Sequence, residues 1–158
     1  LRRLIEEGKF GRIVGVNLVF NCLRTNEYYQ KDAWRGTIAG EGGGVLINQA
    51  IHHLDQLRFL FGGIRRVSAL TANQGVIEVE DSAAFVVEFR NGVFGTVNAT
   101  NSAAEEWRSM LSVTGTELCL EYANEKPVHV EGLDAARARE VEEALSLEIK
   151  SSIGLPYK

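Results

Sequence analysis

On either side of Asn91-Gly92 the apolar residues fall on every second position, with Phe85, Val87 and Phe89 before the dipeptide and Val93, Val97 and Ala99 after it. Period two is the repeat of a half-buried strand, and Asn-Gly is favoured by a two-residue type I′ turn, so this segment is an antiparallel hairpin. Further strands are expected around it. One lies near 66–71, a second pair at 108–114 and 117–122 is joined through Gly115, and a short strand covers 128–130. The alternation of Val14, Val16, Leu18 and Phe20 supplies another strand near the start.

Helical spacing appears in three places. Leu1, Leu4 and Ile5 share one side of a short helix ended by Gly8. Ala50, Leu54, Leu57 and Phe61 form the apolar stripe of a helix from about Gly44 to Phe61, which Gly62-Gly63 terminates. The third runs from Asp134, placed as its N-cap, to about Glu148. Six or seven strands, mostly antiparallel, with three helices to one side make an α+β fold: an open sheet with helices packed on one face. The 158 residues suit one domain, and no repeat, low-complexity tract or linker divides them.

Charge and composition remove several classes of partner. A net charge of -4 with no cluster of lysine and arginine gives no footprint for nucleic acid or an anionic membrane surface. No apolar run reaches the ~18 residues of a membrane span. Cys22 and Cys119 belong to no C-x-x-C pair and read as free thiols of a reducing compartment, which points to the cytoplasm. The chain opens without methionine on a charged helix, so a fragment of a longer protein is expected.

The chemistry concentrates in Gly42-Gly43-Gly44-Val45-Leu46-Ile47-Asn48-Gln49-Ala50-Ile51-His52-His53-Leu54-Asp55. Asn48 and His52 stand four apart, so on a helix an amide and an imidazole project from the same face. His53 points about 100° away and reads as structural, as does His129 in a late strand. A metal site of His52, His53 and Asp55 fails because adjacent histidines diverge on a helix, so no metal is expected. The long polar and aromatic stretch 21–44 carries Tyr29, Trp34 and Arg35, and loops of this length are usually functional or mobile. Gly40-Glu41-Gly42-Gly43-Gly44 is not a dinucleotide fingerprint, because Val45 stands where the last glycine belongs.

These residues together resemble the Gfo/Idh/MocA family of glucose-fructose oxidoreductase and inositol dehydrogenase. The run from Gly42 through Asn48, His52 and Asp55 is similar to its G-G-G-x-x-x-D-x-x-x-H-x-x-D signature. Further matches are the junction Gly8 to Ile13, Trp34-Arg35 ahead of the glycines, Glu80-Asp81-Ser82-Ala83 with the Asn91-Gly92 hairpin, and Gly115 to Glu121. The resemblance covers roughly 1–122. Glu125-Lys126-Pro127 is similar to the family's E-K-P motif only in letters, since that motif belongs upstream, and Lys126 is expected to be a surface turn residue.

The resemblance implies a two-domain oxidoreductase whose N-terminal Rossmann domain binds NAD or NADP. This chain would be the C-terminal substrate and oligomerisation domain, lacking both the Rossmann domain and the closing helices, and would bind no cofactor alone. It implies His52 as general acid/base on a hydroxyl of a sugar or polyol, with Asn48 where the family commonly has aspartate. Trp34, Arg35 and Tyr29 become candidate substrate contacts, since an aromatic and an arginine suit the face and hydroxyls of a sugar. A homo-oligomer through the open sheet face is also implied. The alternative is a non-catalytic binding or oligomerisation module of the same fold, hinted at by Asn48.

Overall fold

The computed structural model describes residues 1–74, 77–124 and 126–152. Burial alternates where the sequence alternates: in β4 (Phe94–Thr100), Gly95, Val97 and Ala99 are buried between exposed neighbours. Its partner β3 (Ser82–Phe89) pairs antiparallel with it, Phe85 opposite Val97, and also with β2 (Ile64–Ala72), Phe85 opposite Ala69. Adding β1 (Ile13–Leu23), β5 (Ser102–Gly115), β6 (Leu118–Ala123) and β7 (Lys126–Gly132), the sheet has the order β2-β3-β4-β1-β5-β6-β7. The fold is α+β, a mostly antiparallel open sheet with helices.

Contacts divide the chain into two compact units, Leu18–Ser109 and Leu1–Asn17 with Met110–Lys158. The first unit holds the central helical segment. Val45 and Ala50 pack in a buried cluster with Phe20, Cys22, Ala83 and Ala99, and Leu57 and Phe61 are also buried. The second unit holds the short helix α1 (Arg2–Glu6) and the long helix α6 (Ala135–Ser152), with Leu4, Phe10, Leu118, Leu120, Val141 and Leu145 buried. Asp134 caps α6 as expected, its carboxylate accepting from the amides of Ala136 at 2.8 Å and Arg137 at 3.3 Å.

Four expectations need correction. The Asn91-Gly92 turn is not type I′, which needs left-handed backbone at both central residues, and only Gly92 has it, with φ 86°. The Gly92 amide bonds to the Phe89 carbonyl and the Phe89 amide to the Val93 carbonyl, closing a three-residue loop. Asn91 instead uses its side chain, donating to the Phe61 carbonyl and accepting from the Val93 amide. The stretch 21–44 is not one long loop: β1 reaches Leu23, and α2 (Asn26–Gln30) and α3 (Ile38–Glu41) follow. The central helix is two segments, α4 (Val45–Asn48) and α5 (Ile51–Phe61), so helices outnumber the three expected. Lys126 opens β7 rather than a turn, pairing with Ala123, while Glu125 and residues 153–158 lie outside the described residues.

Candidate active site

All the candidate side chains lie within Leu18–Ser109. The geometry begins at Gly44, the N-cap of α4, which has no side chain with which to cap. The first amides of a helix lack intrahelical acceptors, and here a distant residue supplies them. The Glu80 carboxylate accepts from the Gly44 amide at 2.9 Å and the Leu46 amide at 3.3 Å, while its backbone carbonyl accepts from Val45 at 2.9 Å. Hydrogen bonds to a charged group contribute about 1.5–3 kcal/mol each. Approach is so close that a Cβ on Gly44 would stand 1.7 Å from the Glu80 carbonyl oxygen, and only glycine fits. Of the glycine turn, the Gly44 amide is thus taken up by Glu80, and the other two amides that Glu80 holds, those of Val45 and Leu46, belong to α4.

Between α4 and α5 the helix widens for one turn. The Ala50 amide reaches back five residues to the Val45 carbonyl at 2.8 Å, a π-type bond, and ordinary four-residue bonding resumes with Leu54 to Ala50. Four residues overshoot an α-turn by about 40°, whereas a wider turn brings residues four apart closer to one face. Both Asn48 and His52 are exposed. Asn48 Nδ2 donates to the Gly43 carbonyl at 3.1 Å, which turns its Oδ1 acceptor the other way. Among the described residues no side-chain hydrogen bond joins Asn48 to His52, and the His52 imidazole makes no hydrogen bond or ion pair. Its neighbour His53 packs instead against Phe20 and Trp107, with ring centroids 4.9 and 6.1 Å away.

The wide turn is anchored from below by buried polar groups. Gln49 and Asn101 are both buried, and Asn101 Nδ2 lies 3.5 Å from Gln49 Oε1 and 2.9 Å from the Tyr29 hydroxyl. Burial pushes the Tyr29 phenol up to about 12, with the Glu41 carboxylate adding to the rise, so it stays protonated as a neutral hydrogen-bonding group. Trp34 and Arg35 meet this network through Tyr28, whose ring stands edge-on to that of Tyr29 with centroids 5.1 Å apart. The Arg35 guanidinium sits 4.7 Å from the Trp34 ring centre and 4.6 Å from that of Tyr28, and Arg35 Nε bonds to Asp32 at 2.8 Å. Trp34 remains exposed. The structure thus pairs Trp34 with Arg35 and sets Tyr29 against Asn101.

Sequence reasoning missed the anchors. Glu80 lies 36 residues from Gly44, and no local pattern couples them; Glu80-Asp81-Ser82-Ala83 stands out as a family match, but nothing in the sequence ties it to the glycine turn. Gln49 could have been suspected as a polar residue on the apolar side of the helical stripe. Among the described residues no group of three or more His, Cys, Asp or Glu side chains converges on a metal position, and no helix is long and apolar enough to cross a membrane. Both cysteines are free, and burial raises the Cys22 thiol.

Residues 1–121 match the GFO/IDH/MocA C-terminal domain. The chain belongs to this family. Among solved structures it is similar to the WlbA dehydrogenase of Bordetella pertussis, in complex with NADH and UDP-GlcNAcA, at 26% identity and a TM-score of 0.83, covering 97% of this chain and 45% of that one. The WlbA dehydrogenase of Chromobacterium violaceum, with the same two ligands, is 31% identical with a TM-score of 0.80, over 92% and 43%. A curated relative is levoglucosan dehydrogenase of Pseudarthrobacter phenanthrenivorans, 25% identical over 65% of this chain and 32% of that protein. The chain spans about a third of that relative and under half of each solved chain. These GFO/IDH/MocA relatives are dehydrogenases, and the WlbA structures hold NADH.

Proposed function

We propose that this chain is the substrate-binding and proton-transferring domain of an NAD(P)-dependent dehydrogenase that oxidises a hydroxyl of a sugar, polyol or related derivative. The observation that carries this reading is His52: an exposed imidazole without a partner among the described residues, in the first turn of α5, which follows directly on the segment α4 whose leading amides Glu80 holds. In the reaction, His52 takes the proton of the substrate hydroxyl as that oxygen becomes a carbonyl, chemistry suited to an imidazole near neutral pH. Asn48 Oδ1 accepts a substrate hydroxyl and orients it. Trp34 and Arg35 offer a ring face and a guanidinium fork to the rest of the sugar, and Tyr29 supports them from the interior. Bound nicotinamide supplies the hydride acceptor.

Nucleotide binding is assigned to a Rossmann domain elsewhere in the intact protein. Two things support this: the Gly44 amide of the glycine turn is engaged by Glu80, and the relatives are more than twice this chain's span. The intact protein is proposed to be cytoplasmic and to self-associate. The open face of β2 to β4 supports the latter, because Leu70, Val86 and Phe94 are 80, 50 and 52% exposed and their strand registers place them on one side.

An NADH and NADPH fluorescence titration of this chain beside the intact protein tests the division of labour. Binding by the intact protein alone is expected, and a polyol and sugar screen of that protein, with His52→Ala as control, then identifies the substrate. Tight binding by this chain would overturn the assignment.

A further inference from the structure

We propose that Glu80, which holds the first amides of α4, sets the position of Asn48 and His52 and so acts as a positioning residue for the proton-transfer pair. The proposal rests on the reading of His52 given above. Gly44, Val45 and Leu46 present three consecutive amides, and Glu80 alone answers all of them, two through its carboxylate and one through its carbonyl. From there a few hydrogen bonds lead on to α5. The Asn48 amide bonds to the Gly44 carbonyl, the Gln49 and Ala50 amides share the Val45 carbonyl, and the Leu54 amide bonds to Ala50. A displacement of residues 44–46 therefore passes directly to Asn48 and, through the wide turn, to the first turn of α5, where His52 sits.

A four-residue helix cannot hold itself in place, since most of its amides have no acceptor within it. With glycine at the N-cap, orientation has to come from outside. The requirement is also specific to a side chain of this length and charge. Glutamine would present one amide N–H to a backbone N–H that needs an acceptor, and aspartate is one methylene too short to span Gly44 and Leu46.

The test uses the intact protein carrying E80Q, with E80D as a second variant and His52→Ala alongside. Three readings are taken: kcat per nicotinamide-binding site, the KM for the cofactor, and amide hydrogen exchange at residues 44–48. The expected result for E80Q is a fall in kcat of about 10²-fold, the scale that misplacement of a catalytic group produces. Cofactor KM stays within about twofold, since the change lies outside the nucleotide site, and exchange of the Gly44 and Leu46 amides rises by about tenfold while that of β3 is unchanged. E80D reproduces the loss of kcat, because charge without reach does not restore the clamp.

The proposal is overturned if E80Q keeps its kcat while His52→Ala is inactive. It is equally overturned if E80Q and E80D both lose folded structure throughout, because the role of Glu80 is then global. Retained turnover in His52→Ala sinks the underlying reading of the histidine, whereas the exchange result for residues 44–46 reports on the clamp by itself.

Discussion

The two units of this chain use opposite means to hold their helices. In Leu1–Asn17 with Met110 onward, α6 lies over strands through Val141 and Leu145, and the charged groups stay outside, as in the Lys9–Glu140 pair at 2.6 Å and the Arg137–Glu117 pair. In Leu18–Ser109, the apolar contacts of Val45, Ala50 and Leu57 are joined by polar groups inside. All four buried polar residues among those described, Gln49, Asp81, Asn101 and Ser109, belong to this unit. Apolar packing tolerates small shifts because it is non-directional, whereas hydrogen bonds to named donors fix orientation. The unit with the candidate site is the one that uses direction.

That contrast can be broken at several points. The largest effect is expected from Gly44→Ala, which drives a methyl group into the Glu80 carbonyl; it should lose about 3 kcal/mol or more in denaturant unfolding, at the upper end of overpacking costs, together with most of the activity of the intact protein. Leu120→Ala in the other unit removes a fully buried side chain and should cost about 2–5 kcal/mol, yet leave turnover per folded molecule unchanged. Stability alone would then not distinguish the units, but activity would.

Asn101→Ala removes a buried amide from beside Gln49 and Tyr29, and a loss of about 1–3 kcal/mol with reduced turnover is expected, measured by thermal unfolding and initial rates. A variant with normal turnover would mean that the polar interior does not orient the site. Lys9→Met should be the mildest, under about 1 kcal/mol, because Glu140 is exposed and such pairs contribute little. A larger loss would show that the ion pairs of that unit are structural after all.

The legible parts of the molecule were those in which a residue's partner is close in sequence. Strand alternation, the hairpins at 89–93 and 115–118, and the Asp134 cap depend on neighbours and on periodicity, and all are present. The break between Asn48 and His52 was not visible, since the apolar stripe of Ala50, Leu54, Leu57 and Phe61 continues through it with helical spacing. The polar groups that hold its two sides are remote in sequence. Glu80 and Asn101 act on residues 36 and 52 positions away, and neither reach is encoded in a spacing rule. Tyr29, Trp34 and Arg35 could be named as a group from composition, but only the structure divides a ring-and-guanidinium stack from a phenol bonded to an interior amide.

The claim on which the account depends is that His52 moves the proton, and its most direct test is single-turnover hydride transfer in the intact protein with His52→Ala, followed by nicotinamide absorbance. Exposed His52 contributes little to folding, so the variant should bind cofactor normally while its rate falls by about 10²–10⁴-fold, the range for loss of a general base. A rate within a few-fold of the unsubstituted protein, with cofactor binding intact, would contradict the account and favour a domain of this family that binds or assembles without taking part in the chemistry.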